Sequence, residues 1–271
     1  MTVEFADKPK RGRPRSATAA AVAQPVQALD RGLTILSALA RHRSATLSAL
    51  ARQVEMPPST VHRFLATLQS HGFADFDGQT QEWSVGIGAF RVGNTYLRRS
   101  NLVEAAQAPM RQLMEQTGET ANLGIADQGF IVFISQIESL NPIRAMFQAG
   151  ARSPMHASGI GKAMLAHLGE AEVEQTLRAN GLPKFTEKTL TSTEALWQDL
   201  ARAKARGWSF DNEEKHTGMC CIASAIFDRE GQPVAGVSVS GPAQRFTREM
   251  VAKTGPMVKK VAAEITGITG A

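Results

Sequence analysis

The sequence has little of what would hold a chain together covalently or place it outside the cytosol. Its two cysteines are adjacent, Cys220-Cys221, which excludes a framework of crosslinks and fits a reducing compartment. No uninterrupted apolar run approaches the roughly eighteen residues of a membrane span, and Met1–Ala20 is polar and basic, without the apolar core of a signal peptide. A cytoplasmic chain with no membrane partner is expected. Residues that do metal or covalent chemistry are also sparse in arrangement. The six histidines show no H-E-x-x-H spacing and the cysteine pair no C-x-x-C, so neither a metal nor a cofactor is expected. Gly236-Val237-Ser238-Val239-Ser240 fails the G-x-S-x-G nucleophile elbow at its last position. Gly161-Lys162 fails the phosphate-binding loop, which needs glycine where His156 stands and Ser or Thr where Ala163 stands. Cys221 with His216 is the remaining candidate for a thiol–base pair, but five residues across a turn is no evidence of contact. A protein that is not an enzyme is expected.

What is present is a charge asymmetry. The net charge of +5 divides into +6 for the first hundred residues and −1 for the rest, the pattern of a polyanion-binding module joined to a body with another task. Lys8–Arg15 is a basic stretch whose core, Arg11-Gly12-Arg13-Pro14, resembles an AT-hook, an extended segment that lays its arginines in the minor groove of A·T-rich DNA. A basic tail adding only phosphate attraction is the plainer reading.

Helical periodicity begins near Gln27. Leu29, Leu33, Leu36 and Ala40 mark the apolar face of a first helix. Leu47, Leu50, Ala51 and Val54 mark a second capped by Thr46, and Val61, Phe64, Leu65 and Leu68 a third. Met56-Pro57-Pro58 breaks the second and starts the third, giving a helix-turn-helix. At about 100° per residue the third helix exposes Ser59, Arg63 and Ser70, with Thr60, His62 and Thr67 on its shoulders. Short hydroxyls and an arginine near a helix N-terminus suit a major groove. A hairpin turning at Asp77-Gly78 supplies a wing, and Ile87–Arg99 reads as a helical connector able to hold two DNA-binding heads.

The body alternates unevenly between strands and helices, which indicates an α+β domain with antiparallel hairpins. Strands are expected at Glu119–Ile125, Phe130–Ile137, Ile143–Gln148, Trp208–Asn212, Cys220–Phe227 and Val234–Ser240. Three pieces of the body suit a small ligand. Period two puts Gly236, Ser238 and Ser240 on one face of their strand and Val237 and Val239 on the other, while Cys221, Ala223 and Ala225 share a face of theirs. If those faces coincide, they line a small cavity of Gly, Ala, Ser and Cys without room for rings. The third piece, His156–Lys162, is a glycine-bearing helix start whose free amides favour an anion such as a carboxylate.

In this order the segments resemble the IclR family of bacterial transcriptional regulators, from about Val26 to Ile265. The resemblance rests on Leu29-Asp30-Arg31-Gly32-Leu33, Pro58-Ser59-Thr60-Val61-His62-Arg63 and Met155-His156-Ala157-Ser158-Gly159-Ile160-Gly161-Lys162-Ala163. Asp211-Asn212-Glu213-Glu214, Cys220-Cys221-Ile222-Ala223 and Val237-Ser238-Val239-Ser240-Gly241 complete it. It implies an N-terminal winged helix-turn-helix, a helical linker and a C-terminal effector domain similar to GAF and PAS sensors. The divisions expected are a tail at 1–25, a DNA-binding domain at 26–86, a linker helix at 87–100 and an effector domain at 101–271. It implies homodimers or homotetramers on near-palindromic double-stranded promoter DNA, with repression the common outcome and activation the alternative. In members that bind glyoxylate or pyruvate, the residues holding the acid correspond here to the amides of Gly159 and Ile160, then Asp211, Cys221, Ser238 and Ser240. Met146, Met155 and Met219 are candidate apolar contacts. The DNA contacts expected are Ser59, Thr60, His62, Arg63 and Thr67, with Arg11 and Arg13 from the tail. An architectural DNA binder and a small-molecule enzyme are the competing classes.

Overall fold

The computed structural model describes residues 26–99, 101–145, 147 and 149–269. The tail arginines Arg11 and Arg13 and the candidate contact Met146 lie outside the described residues. The chain divides into two compact units, one ending at Val92 and the other starting at Gly93.

The first unit contains α1 (Gln27–Leu39), β1 (Ala45–Thr46), α2 (Leu47–Gln53), α3 (Pro58–Ser70), β2 (Ala74–Asp77) and β3 (Glu82–Val85), and ends within α4 (Ile87–Arg99). Thr46 Oγ1 accepts the Ala49 N–H at 3.3 Å and so starts α2, and Pro58 occupies the first turn of α3, where its missing N–H costs nothing. β2 and β3 form the expected hairpin, with Asp77 opposite Glu82. Its turn is longer than an Asp-Gly pair. Asp77 Oδ1 accepts the Gln79 and Thr80 amides, and Gln81 closes the loop with a positive φ of 59°. The two-residue β1, unexpected from the sequence, adds a third strand by pairing with β3.

The core of this unit joins Ile35, Ala38 and Leu39 of α1 to Leu50, Val61, Leu65 and Trp83. That corrects the face assigned to α1: Leu29 and Leu33 are 61% and 54% exposed. The helix is apolar on two sides, and the i, i+3, i+4 set of Ile35, Ala38 and Leu39 is the one that meets α2 and α3.

The second unit contains α5 (Leu102–Thr117), β4 (Thr120–Asp127), β5 (Phe130–Ile137), β6 (Arg152–Pro154), α6 (Gly159–Leu165), α7 (Glu170–Asn180), α8 (Thr193–Arg206), β7 (Ser209–Asn212), β8 (Met219–Phe227), β9 (Pro233–Pro242) and α9 (Arg248–Thr269). Six strands form one antiparallel sheet in the order β6-β5-β4-β9-β8-β7. One face, with Leu123, Ile222, Val237 and Val239, packs on Met110 and Leu113 of α5 and Val258 and Ile265 of α9. The other receives α6 and α8, through Ile160, Met164, Leu196 and Leu200.

The strand expected at Ile143–Gln148 is not formed among the described residues of that stretch. Its place beside β5 is taken by β6, where Pro154 pairs with Phe130. Phe147 instead folds back to stack on Phe133, ring centroids 4.5 Å apart, and Gly150, at φ 85°, turns the chain toward β6.

Candidate functional site

The register between β8 and β9 sets Cys221 opposite Ser240, Ala223 opposite Ser238 and Ala225 opposite Gly236. The two small-residue faces inferred from strand periodicity therefore coincide. β7 extends the row by setting Asp211 opposite Cys221, and β4 extends it on the other side with Thr120 opposite Ser240 and Asn122 opposite Ser238.

Helix α6 begins directly over this face because its glycines let the backbone approach. A Cβ on Gly159 would lie 2.7 Å from Cys221 Sγ, and one on Gly161 would lie 2.3 Å from the carbonyl oxygen of Met155. Ile160 fills the space left by Gly236, where a Cβ would come within 2.5 Å of its Cγ2. Ser158 Oγ accepts the Gly161 N–H at 3.4 Å. The amides of Gly159 and Ile160 have no hydrogen-bond partner among the described residues.

Gly159, Ile160, Asp211, Cys221 and Ser240 line one cavity. Ser238 lies two register positions further along the sheet, fully buried, and its Oγ has no hydrogen-bond partner of normal geometry among the described residues. The cavity holds about 20 Å³, on the scale of one or two waters, so a large ligand does not fit without rearrangement. Met219 lines it, whereas Met155 is buried in the core beneath α6. The sequence reading missed Lys215 and Ser153 in the lining and had His216 only as a doubtful base. It also excluded rings, yet the stacked Phe133 and Phe147 form part of the wall. Small residues floor the site, and of the aromatic pair Phe133 comes from β5 and Phe147 from the segment misread as a strand.

A charge cluster adjoins Asp211 of the cavity wall. Lys162, with 0% exposure, donates to Asp199 Oδ2 at 2.8 Å, to the Phe210 carbonyl at 2.7 Å and to Glu214 Oε1 at 2.5 Å. Burial pulls the lysine pKa down, but the attraction of Glu214 and Asp199 outweighs it and the net direction is up. Glu214 is pushed up by burial despite the relief from Lys162, and its Oε2 has no partner among the described residues. Asp211 is 8% exposed and accepts the Glu214 N–H at 2.8 Å. Burial first, and the neighbouring Glu214 second, raise it to about 7.

The Cys221 thiol is raised to about 12, by burial first and Asp211 second; the nearby hydroxyls of Ser240 and Ser238 offset this only in part. Such a thiol carries its proton near neutrality and is a poor nucleophile. His216 is held below its ordinary value by burial and by Lys215. The wall therefore presents a protonated thiol, free amides and the Lys215 side chain, an arrangement suited to binding a small anion rather than to attacking a substrate.

On the first unit, Ser59, His62, Arg63 and Thr67 are exposed along α3 and Thr60 is half-buried. His62 stands edge-on to Trp83 at 6.2 Å, and Thr67 Oγ1 donates to the Arg63 carbonyl at 3.0 Å. Thr60, Arg63 and Thr67 share a groove with Arg31 of α1, a second arginine that the sequence placed in the Leu29–Leu33 motif without assigning it a DNA contact.

Residues 28–78 match the IclR helix-turn-helix domain, and residues 94–267 match the bacterial transcriptional regulator IclR C-terminal family. The transcriptional regulator BhcR of Paracoccus denitrificans is 47% identical over 260 residues, covering 95% of this chain and 93% of its own. The transcriptional repressor IclR of Escherichia coli is 42% identical over 261 residues, covering 95% of each. The crystal structure of the Thermotoga maritima IclR superposes with a TM-score of 0.74 at 29% identity, covering 91% of this chain and all of that one. Relatives and families alike are regulators of transcription, not enzymes. Among the described residues no helix is long and apolar enough to cross a membrane. With a helix-turn-helix unit preceding an antiparallel α+β unit, and with both halves matched, the chain belongs to the IclR family of bacterial transcriptional regulators.

Proposed function

We propose that the chain is a repressor whose hold on a near-palindromic operator is set by a small 2-oxo acid, glyoxylate first and pyruvate next, bound in the cavity of the second unit. The observation that carries this reading is the convergence in one cavity of two free amides, a neutral thiol, the Ser240 hydroxyl and a protonatable carboxyl. Gly159 and Ile160 N–H take the carboxylate. Ser238, Ser240 and Cys221 address the oxo group or its hydrate, and the unpartnered Ser238 Oγ is available to do so. Asp211 binds in its protonated form or accepts from the hydrate.

In this reading 26–86 is the DNA-binding domain, 87–100 the linker helix and 101–271 the effector domain, and Arg11 and Arg13 of the 1–25 tail add minor-groove contacts. Ser59, Thr60, His62, Arg63 and Thr67 face the major groove from α3. Exposed apolar Leu29 and Leu33 on α1, and Ile87 and Phe90 on α4, support self-association into dimers or tetramers. Repression follows the relatives named repressors, at 42% identity. Calorimetry with glyoxylate and pyruvate, with a mobility shift on the protein's own upstream region, tests the reading. Saturable heat and acid-sensitive DNA binding are expected. No heat with either acid overturns the effector assignment, and acid-insensitive binding makes the protein an architectural binder.

A further inference from the structure

A line of polar side chains outside the proposed effector contacts runs under the cavity. Asn122 on β4 is fully buried, and its side-chain amide lies 3.3 Å from Ser240 Oγ on one side and 3.1 Å from the amide of Gln136 on the other. The register builds this line, since Asn122 pairs with Ser238 on β9 and with Gln136 on β5. Beyond it, the Gln136 amide meets the main chain of Phe147, with its two ends 2.9 Å from Phe147 O and 3.1 Å from Phe147 N. Ser240 and Phe147 both line the cavity. The line therefore starts and ends in the cavity wall.

The oxygen and nitrogen of an amide are nearly equal in shape, so partners decide which is which. Gln136 satisfies Phe147 only with Nε2 donating to the carbonyl and Oε1 accepting from the N–H. Its oxygen then also faces Asn122, which must present Nδ2 there and Oδ1 to Ser240, giving up the long 3.5 Å contact of Nδ2 with the Thr120 carbonyl. Ser240 donates to Asn122 and offers the cavity only lone pairs. In the opposite sense Asn122 Nδ2 donates to Ser240 Oγ and Gln136 Nε2 donates to Asn122 Oδ1, which frees the Ser240 proton for the cavity. That sense sets the Gln136 oxygen against the Phe147 carbonyl. The two senses exclude each other at Phe147.

We infer that Asn122 and Gln136 are positioning residues of the pocket, which fix whether Ser240 donates or accepts and couple that choice to the main chain at Phe147. The inference rests on the effector reading. A ligand that places an oxo group on Ser240 demands a donor, turns both amides and releases the Phe147 backbone. A ligand that places a hydroxyl there is accepted without turning them. Asn122 and Gln136 thus separate 2-oxo from 2-hydroxy acids although neither touches the ligand, and the oxo acid alone alters the Phe147 segment.

The test is amide hydrogen exchange at Phe147 in the full-length protein, titrated with pyruvate and with lactate. Pyruvate should accelerate exchange about tenfold, the loss of one hydrogen bond, and lactate should not. In Gln136→Met, at a partly buried site, exchange should be fast from the start and respond to neither acid. Preference should also move toward pyruvate by about fivefold, because nothing is given up on turning. A merely structural role would weaken both acids alike. Equal responses to both acids, or a retained pyruvate response in Gln136→Met, overturns the inference. If neither acid binds, the effector reading fails by itself and the unliganded protein still decides the relay. Gln136→Met, and Asn122→Asp with its two acceptors, should speed Phe147 exchange while Asn122→Leu does not. Unchanged exchange in Gln136→Met would refute the relay.

Discussion

Asp211 and Cys221 stand directly opposite each other on β7 and β8, and the carboxyl is second only to burial in pushing the thiol up to about 12. The carboxyl is itself raised to about 7. On the acid side of neutrality both groups carry protons toward the cavity, and on the alkaline side only the thiol does.

The pH dependence of binding follows from that pair. An anion prefers the protonated carboxyl, so affinity should be highest below about pH 7 and fall as pH rises through it, by up to about tenfold per unit. Stability has the same sign: a raised carboxyl contributes most below the ordinary carboxylate range and loses that contribution as pH rises through about 7. Calorimetry across this range should show the fall in the wild type and a flat profile in Asp211→Asn. A flat wild-type profile would mean that Asp211 does not titrate next to the acid.

The two thiols should resist alkylation. Cys220 is raised to about 11 and Cys221 to about 12, with burial the first cause for each, so little thiolate exists near neutrality. Mass spectrometry after iodoacetamide treatment should find native protein largely unmodified and denatured protein modified twice. Rapid single modification of the native protein would show an activated cysteine and revive the thiol–base reading.

Lys162→Met should destabilise the second unit by roughly 3–5 kcal/mol, since it leaves Glu214 buried without its counter-charge, while the half-buried Asp199 keeps only Arg202. Chemical denaturation measures this. A cost below about 1 kcal/mol, the range of a surface ion pair, would show that water reaches the cluster.

Gly159→Ala should leave the protein folded and weaken acid binding by about tenfold or more. The added methyl meets Cys221 Sγ at 2.7 Å and shifts the amides away from the strand. Gly161→Ala meets the Met155 backbone at 2.3 Å, cannot be relieved by a rotamer, and should lower the melting temperature instead. Equal behaviour of the two variants would contradict the packing described for α6.

Arg63→Ala should reduce operator binding by about 1–3 kcal/mol while changing affinity for unrelated DNA far less. Competition mobility shifts separate the two. A uniform loss would assign Arg63 to phosphate.

The pocket was legible where its chemistry depends on local periodicity. Val237-Ser238-Val239-Ser240 can be sorted into faces by counting in twos, and the glycines of Gly159–Gly161 announce a close approach. Lys162 was not legible, because its partners lie 37 to 52 residues away and a lysine in sequence reads as exposed. Asn122 and Gln136 are ordinary polar residues within strands until register brings them into line. Leu29 and Leu33 misled because periodicity finds an apolar stripe without saying what covers it. Phe147 was missed since alternation across Ile143–Gln148 imitates a strand, and only Gly150 marks the turn that prevents one.

The sheet of the second unit works as a septum with a sealed side and a working side. Val237 and Val239 bind it to α5 and α9, while their immediate neighbours Ser238 and Ser240 lie on the opposite face, Ser240 in the cavity wall. Alternate positions along one strand thus answer to different demands. In the proposed effector reading, exchanges at 221, 238 and 240 would retune what the pocket accepts without disturbing the helices behind it, so that one scaffold would adapt to new signals residue by residue.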